Sequence, residues 1–238
     1  MPFRTKNMLV FRYPSLTSLV AVLCLLLGIP CHAQKTDPSP EELLKALQRR
    51  YDLVLDFSAD FTHTYEGGML RTRLVERGTV MVKKPGRMRW DYREPERKLY
   101  LSDGERLHSY LPEDRQVIIG RLPTNEEATT PALFLAGVGN FVNDFTAKFD
   151  GVQNRPPDSH VLRLTPIRSE GDFEFLTVVV DARTLVIRRL ISHDLQGGIS
   201  TFFFSNMQEN IDLSDKPFTF SIPAGTDVID NTRSDRLR

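Results

Sequence analysis

The chain has 238 residues, 40% hydrophobic and 26% charged, with 31 basic and 31 acidic side chains. This is a globular composition, long enough for one large domain or two small ones, and it excludes collagen-like and low-complexity chains. Only one apolar run is long enough to consider as a membrane span, which excludes a polytopic membrane protein, and the balanced charge argues against nucleic acid as a partner.

Residues 1–33 read as a cleaved signal peptide. Arg4, Lys6 and Arg12 form a positive leader, Leu19 to Leu27 an apolar run, and Gly28 and Pro30 a break before Cys31-His32-Ala33. Cleavage is expected after Ala33. The run is short for a span, which weighs against a retained anchor. Leu23 and Pro30, not small residues, precede the two cysteines, which weighs against a lipidated cysteine. Removal takes three basic residues and no acidic ones, so residues 34–238 carry an acidic excess. Both cysteines leave as well, so the exported chain has no disulfide, thiol nucleophile or thiolate metal site.

Residues 34–238 then read as a single domain. Ser39-Pro40-Glu41-Glu42 is a helix start with a capping box, and Leu43, Leu44, Leu47, Tyr51, Val54 and Leu55 recur at helical spacing. The pattern changes to period two at Phe57, Ala59, Phe61, His63 and Tyr65, with a turn at Gly67-Gly68 and a return strand over 70–83. After Pro85-Gly86, Met88, Trp90 and Tyr92 alternate with Arg87, Arg89, Asp91 and Arg93. Short strands follow at Leu99–Leu101, Leu107–Leu111 and Gln116–Arg121. Thr130-Pro131 opens a helical stretch that breaks at Gly137-Val138-Gly139, with one more turn over 140–144. Strands resume over 145–149, 160–165, 173–181, 185–192, 199–205 and 218–222. Ten or eleven antiparallel strands joined by short turns would curl into a barrel or half-barrel, with the helices' apolar faces covering its mouth.

The search for chemistry finds little. His63, His108, His160 and His193 share no spacing that builds a metal site, and no HExxH or GxSxG motif occurs. Gly137-Val138-Gly139 lacks the third glycine of a dinucleotide fingerprint and follows a helix. Glu41-Glu42 and Glu126-Glu127 read as solvated charge. The basic segment Lys83 to Lys98 reads first as the outer face of an amphipathic strand, and second as a docking surface for acidic partners or anionic headgroups.

A series of motifs carries a resemblance. Phe57-x-Ala59-x-Phe61-Thr62 follows the leading helix, and Val82-Lys83-Lys84-Pro85-x-x-Met88-x-Trp90 is the strongest block. Glu94-Pro95, Leu101-Ser102-Asp103-Gly104 with Leu107 and Tyr110, Thr130-Pro131, and Phe218-Thr219-Phe220-x-x-Pro223-x-Gly225-x-x-Val228 complete it. In order and spacing the chain resembles the LolA family of periplasmic lipoprotein carriers. The resemblance implies a mainly β (α+β) fold: an incomplete antiparallel β-barrel with α-helices forming a lid over an apolar cavity. It implies a non-enzymatic carrier of the acyl chains of lipoproteins, loaded by an inner-membrane LolCDE-type transporter and unloaded to an outer-membrane LolB-type receptor. It implies no cofactor and no metal, and a monomer is expected.

On this basis Met88, Trp90, Tyr92, Leu101, Leu107, Phe134 and Phe141 are the expected cavity-lining residues. The resemblance makes Lys84, at the position where the family usually has Arg, the residue that helps hold the lid shut. Lysine keeps the charge and loses the planar fork. Met88 stands where family members often have Phe, and methionine adapts to irregular guests. A long, polar 150–172 stretch leaves open a carrier of another envelope lipid or glycolipid, and a cofactor-free hydrolase in a related barrel is the alternative from a different class.

Overall fold

The computed structural model describes residues 38–67, 73–122, 135–168 and 173–232. The expected signal peptide, the start of the central helix at Thr130-Pro131, and Phe134 lie outside these residues.

The leading helix, α1 (Pro40–Asp52), forms as its capping box dictates. Ser39 Oγ accepts from the Glu42 N–H at 3.2 Å, and the Glu42 carboxylate accepts from the Ser39 N–H at 2.8 Å. Glu41 and Glu42 at its first turn and Arg49 and Arg50 at its last complement the helix dipole. Leu43, Leu44, Leu47 and Tyr51 form its buried face, and Val54 continues it. Leu55, expected on that face, lies beyond the helix end and is exposed, because Leu53 already leaves the helix.

Among the described residues twelve strands follow, against the ten or eleven expected: β1 (Asp56–Glu66), β2 (Arg73–Lys83), β3 (Arg87–Glu94), β4 (Lys98–Asp103), β5 (Arg106–Leu111), β6 (Gln116–Arg121), β7 (Phe145–Phe149), β8 (Ser159–Pro166), β9 (Phe173–Asp181), β10 (Ile187–Asp194), β11 (Ile199–Glu209) and β12 (Asp227–Asp230). A one-turn helix, α2 (Phe141–Asp144), precedes β7; its cap Asn140 accepts at Oδ1 from the Val142 and Asn143 N–H groups, both at 3.0 Å. The strands form one open sheet in the order β12-β6-β5-β4-β3-β2-β1-β11-β10-β9-β8-β7. Every pairing is antiparallel except β12 with β6.

The registers define the two faces. Phe57 opposes Val82, Ala59 opposes Val80, and these oppose Met88 and Trp90 on β3. On the other wing Leu190 opposes Val178, which opposes Leu162, and Leu176 opposes Leu164, which opposes Ala147. All of these belong to one continuous buried cluster with the apolar face of α1, so the sheet wraps around its inner face. Gly78 permits the wrap: a methyl group there would collide with the Asp91 backbone and approach the Phe61 ring at 2.8 Å, and the β2–β3 register shifts at this point.

A second, smaller buried group lies on the outer face. Leu101 opposes Arg89 and His108, not Met88, and shares that face with Leu99, Val117 and Ile119. Phe218 comes down on β3 and β4 from the far end of the chain. Residues 218–222, expected as a strand, are not one: Phe218 ends a 3-10 turn (Lys216–Phe218), and Pro217 has no N–H for a ladder. The last strand comes later, at Asp227–Asp230, and its four exposed residues carry no apolar alternation by which to foresee it.

Candidate functional site

The inner face of β1, β3 and β11 carries an aromatic cluster. The Phe61 ring lies edge-on to Trp90 at 5.1 Å and to Tyr92 at 4.8 Å, and Trp90 lies edge-on to Phe202 at 5.3 Å. Met88, Trp90 and Tyr92 are thus brought together and buried, as strand alternation predicts. Leu107 is on the same face, opposite Ser102, and packs half-buried against the cluster. Phe141 is buried beneath α1, edge-on to Tyr51 at 5.8 Å, and its N–H donates to Gln48 Oε1 at 2.7 Å. Leu101 corrects the expectation. It lies on the outer face with Leu99, because β4 sets Lys98, Tyr100 and Ser102 opposite the inward Tyr92, Trp90 and Met88, and the C-terminal segment covers its apolar outer side.

At one end of the inner face the Pro85-Gly86 turn grips two elements at once. Lys84 Nζ donates to the Tyr51 carbonyl in the last turn of α1 and stands 3.3 Å from the centre of the Tyr51 ring. The Tyr51 hydroxyl donates to the Leu135 carbonyl, and the Gly86 N–H donates to the Ala136 carbonyl at 2.9 Å. Gly137 has a left-handed φ of 76° and lies so close to the Lys84 stem that a Cβ would meet it at 2.9 Å. Lys84, Tyr51, Gln48, Asp52 and Phe141 border a cavity of about 140 Å³ here. Burial lowers the Lys84 ammonium to about 8, with Asp52 opposing the shift and Arg50 adding to it.

At the opposite end of β1 the inner face becomes polar. Glu76, its side chain only 6% exposed, accepts from Lys98 Nζ at 2.7 Å and pairs with His63 Nδ1 at 3.0 Å. His63 Nε2 lies 2.6 Å from Ser200 Oγ, and its ring stacks on Phe202 at 4.2 Å. Burial holds the imidazole below its usual pKa, partly offset by Glu76. With the ring neutral, Nδ1–H donates to Glu76 and Nε2 accepts from Ser200. The hydrogen bond to Glu76 raises the Lys98 ammonium, and burial raises the Tyr92 phenol. His63 and Lys98 lie 13 and 22 positions from Glu76 along the chain, so no local motif announced them. Next to them the face reaches solvent, at Tyr65 and Leu74.

Three of the seven cations of the basic segment, Lys83, Arg89 and Lys98, are paired with acids, while Arg93 and Arg97 are exposed. Arg89 binds Asp91 at 2.6 Å, Lys83 binds Asp215 at 2.6 Å, and Lys98 binds Glu76. Arg87, Arg89 and Asp91 alternate with the buried Met88, Trp90 and Tyr92, as the outer side of an amphipathic strand does. The loop after β7 folds over the outer face. Asp150 accepts from Arg163 at 3.0 Å and from Thr177 at 3.2 Å, while Arg189 donates to the Gln153 carbonyl at 3.1 Å. Its polarity therefore serves the back of the sheet and not the covered inner face.

The fold and site define a lidded, open β half-barrel: an apolar inner face, one amphipathic helix laid against it, and no group of three metal-ligating side chains among the described residues. Residues 53–221 match the family model described as outer membrane lipoprotein carrier protein LolA. A Chromohalobacter salexigens protein named outer-membrane lipoprotein carrier protein is 31% identical over 205 residues, covering 85% of this chain and 92% of its own. One of the same name from Methylococcus capsulatus is 29% identical over 199 residues, covering 84% and 91%. An uncharacterized conserved protein from Thermus thermophilus shares the fold at a TM-score of 0.50 and 15% identity, covering 80% of this chain and 98% of its own. The chain belongs to the LolA family of outer membrane lipoprotein carrier proteins.

Proposed function

We propose that this protein shelters the acyl chains of lipoproteins on the inner face of its half-barrel and carries them through the periplasm. It receives them from an inner-membrane LolCDE-type transporter and hands them to an outer-membrane LolB-type receptor. Met88, Trp90, Tyr92, Leu107 and Phe141 are the contacts we propose for the chains. Each CH₂ left in water costs about 0.8 kcal/mol, so a chain crosses an aqueous space only when covered. The observation that carries this reading is the clamp at Lys84. It holds α1 and residues 135–137 against the face the cargo would occupy, so acyl chains and lid compete for the same surface. The protein recovered from cells by osmotic shock should begin at Gln34, and mass spectrometry of the same preparation should show co-purifying acylated peptides. A preparation beginning at Met1 in the membrane fraction, or free of acylated molecules, counts against it.

The clamp predicts a direction for transfer. Lys84→Leu removes the donor to the Tyr51 carbonyl, a hydrogen bond that the amine makes in either protonation state, loosening the closed form by about 1 kcal/mol. The variant should load acyl chains, retain them longer and pass them on slowly, and Lys84→Arg should restore delivery. The pH dependence follows from linkage. An open, solvated Lys84 titrates near its ordinary 10.5 and the closed one at about 8, so the open form binds the proton more tightly. Raising the pH from 8 towards 10.5 therefore favours the closed form and weakens loading. Acyl-probe affinity measured across that range should fall for the wild type and stay flat for Lys84→Leu; a slope retained by the variant would place the titrating group elsewhere.

The Ser200–His63–Glu76 order is the observation in favour of a cofactor-free hydrolase, since a nucleophile, base and orienting carboxylate are arranged in that way. Here Lys98 binds the same carboxylate as an ion pair, and the family is one of carriers, so the reading as a structural network at the rim stands ahead.

A further inference from the structure

Three buried side-chain polar atoms among the described residues have no hydrogen-bond partner: Trp90 Nε1, His108 Nδ1 and Arg189 Nε. His108 and Arg189 face outward, by their registers with Leu101 and Phe203. Trp90 alone faces inward, on the surface we propose for the cargo. Its side chain is 4% exposed, and its neighbours Phe61, Phe202 and Phe204 are aromatic and offer no strong acceptor. A buried indole N–H normally finds a partner, and leaving one unmade is costly.

We propose that the Trp90 indole N–H is the hydrogen-bond donor for the carbonyl oxygen of the bound acyl linkage, an ester or an amide. This deepens the carrier reading and rests on it. The chemistry selects the group: an acyl chain is hydrocarbon except at its carbonyl, which accepts and does not donate. The position sets the orientation. Tyr92 lies two residues along β3 from Trp90, about 7 Å, and its cross-strand neighbour Lys98 belongs to the polar rim with Glu76, His63 and Ser200. Met88 and the Lys84 clamp lie the other way. A guest with its carbonyl at Trp90 therefore directs its polar head towards that rim, where Lys98 and Ser200 meet solvent, and its hydrocarbon towards Met88. The rim's charges cancel, Glu76 against Lys98 with His63 neutral, so it suits an uncharged head better than an anion.

The single tryptophan makes this testable without ambiguity. N-dodecanoylglycinamide has the carbonyl; dodecyltrimethylammonium has the same chain and no acceptor. The indole N–H resonance of the full exported chain should move downfield as the amide is titrated and move little with the ammonium. Trp90→Phe should weaken the amide about fivefold, the worth of one neutral hydrogen bond, and weaken the ammonium less. An indole resonance that moves equally with both ligands, or equal losses of affinity in Trp90→Phe, would overturn the assignment, and the spectra of the wild type decide it even if the variant folds poorly. Binding of neither amphiphile by the wild type would overturn the carrier reading, and this assignment with it.

Discussion

Lys98→Met is expected to destabilise the protein by about 3 kcal/mol, because it leaves the Glu76 carboxylate buried with one partner gone. The Glu76 side chain is only 6% exposed, and it keeps only His63 once Lys98 is lost. The imidazole is itself held neutral by burial, so it answers the carboxylate with a dipole and not with a charge. The companion test is Lys98→Met with Glu76→Gln, which removes both charges together and leaves an amide that can still accept from His63. The double variant should recover most of the loss in equilibrium urea unfolding. If the single and double variants unfold at the same midpoint, the pair contributes through packing and not through compensation of charge. The double variant also separates stability from binding at the rim, since its net charge is that of the wild type.

The second large effect is expected far from the covered face. Phe218→Ala should cost about 3–5 kcal/mol, the range for emptying a buried aromatic site. The Phe218 side chain is 1% exposed and is the principal apolar anchor of the 3-10 turn on the outer face of β3 and β4. Arg89 reinforces it by donating to the Pro217 carbonyl at 3.0 Å. Beyond the turn, β12 holds to β6 through a four-residue parallel pairing, with the Asp227 N–H on the Arg115 carbonyl and the Asn231 N–H on the Ile119 carbonyl, both at 2.8 Å. Loosening the anchor should therefore speed amide exchange at Asp227 and Asn231 ahead of β1 and β2 in the middle of the sheet. Uniform acceleration across the sheet would instead mean that the outer-face group is part of one global unit with the inner core. Loading of acyl probes should survive this substitution better than it survives changes at the clamp, because Phe218 touches the other side of the sheet.

Local sequence determined those features whose causes are local. Ser39, Pro40 and Glu42 specify the start of α1 by reciprocal hydrogen bonds within one turn, and the spacing of Leu43, Leu44, Leu47 and Tyr51 specifies its buried face. Period-two alternation specified β1 and β3 and put Met88, Trp90 and Tyr92 on one side together. Alternation assigns residues to two faces and does not say which face will be covered. On β4 the apolar side, Leu99 and Leu101, read as the cavity side, whereas the register turns it outward and the return of the chain through Phe218 covers it there. Tertiary structure likewise decided the meaning of the charges. Lys83 to Lys98 is a basic run in sequence, and the cations at its two ends meet acids, Asp215 and Glu76, that arrive from other segments. His63 looked like an unremarkable strand residue because its partners, Glu76 and Ser200, lie on the strands to either side of β1. The clamp divides the same way. The Lys84-Pro85-Gly86 turn was legible, whereas its grip on Tyr51 and Ala136 depends on two segments of chain meeting over one face, a geometry set by how far the sheet curls.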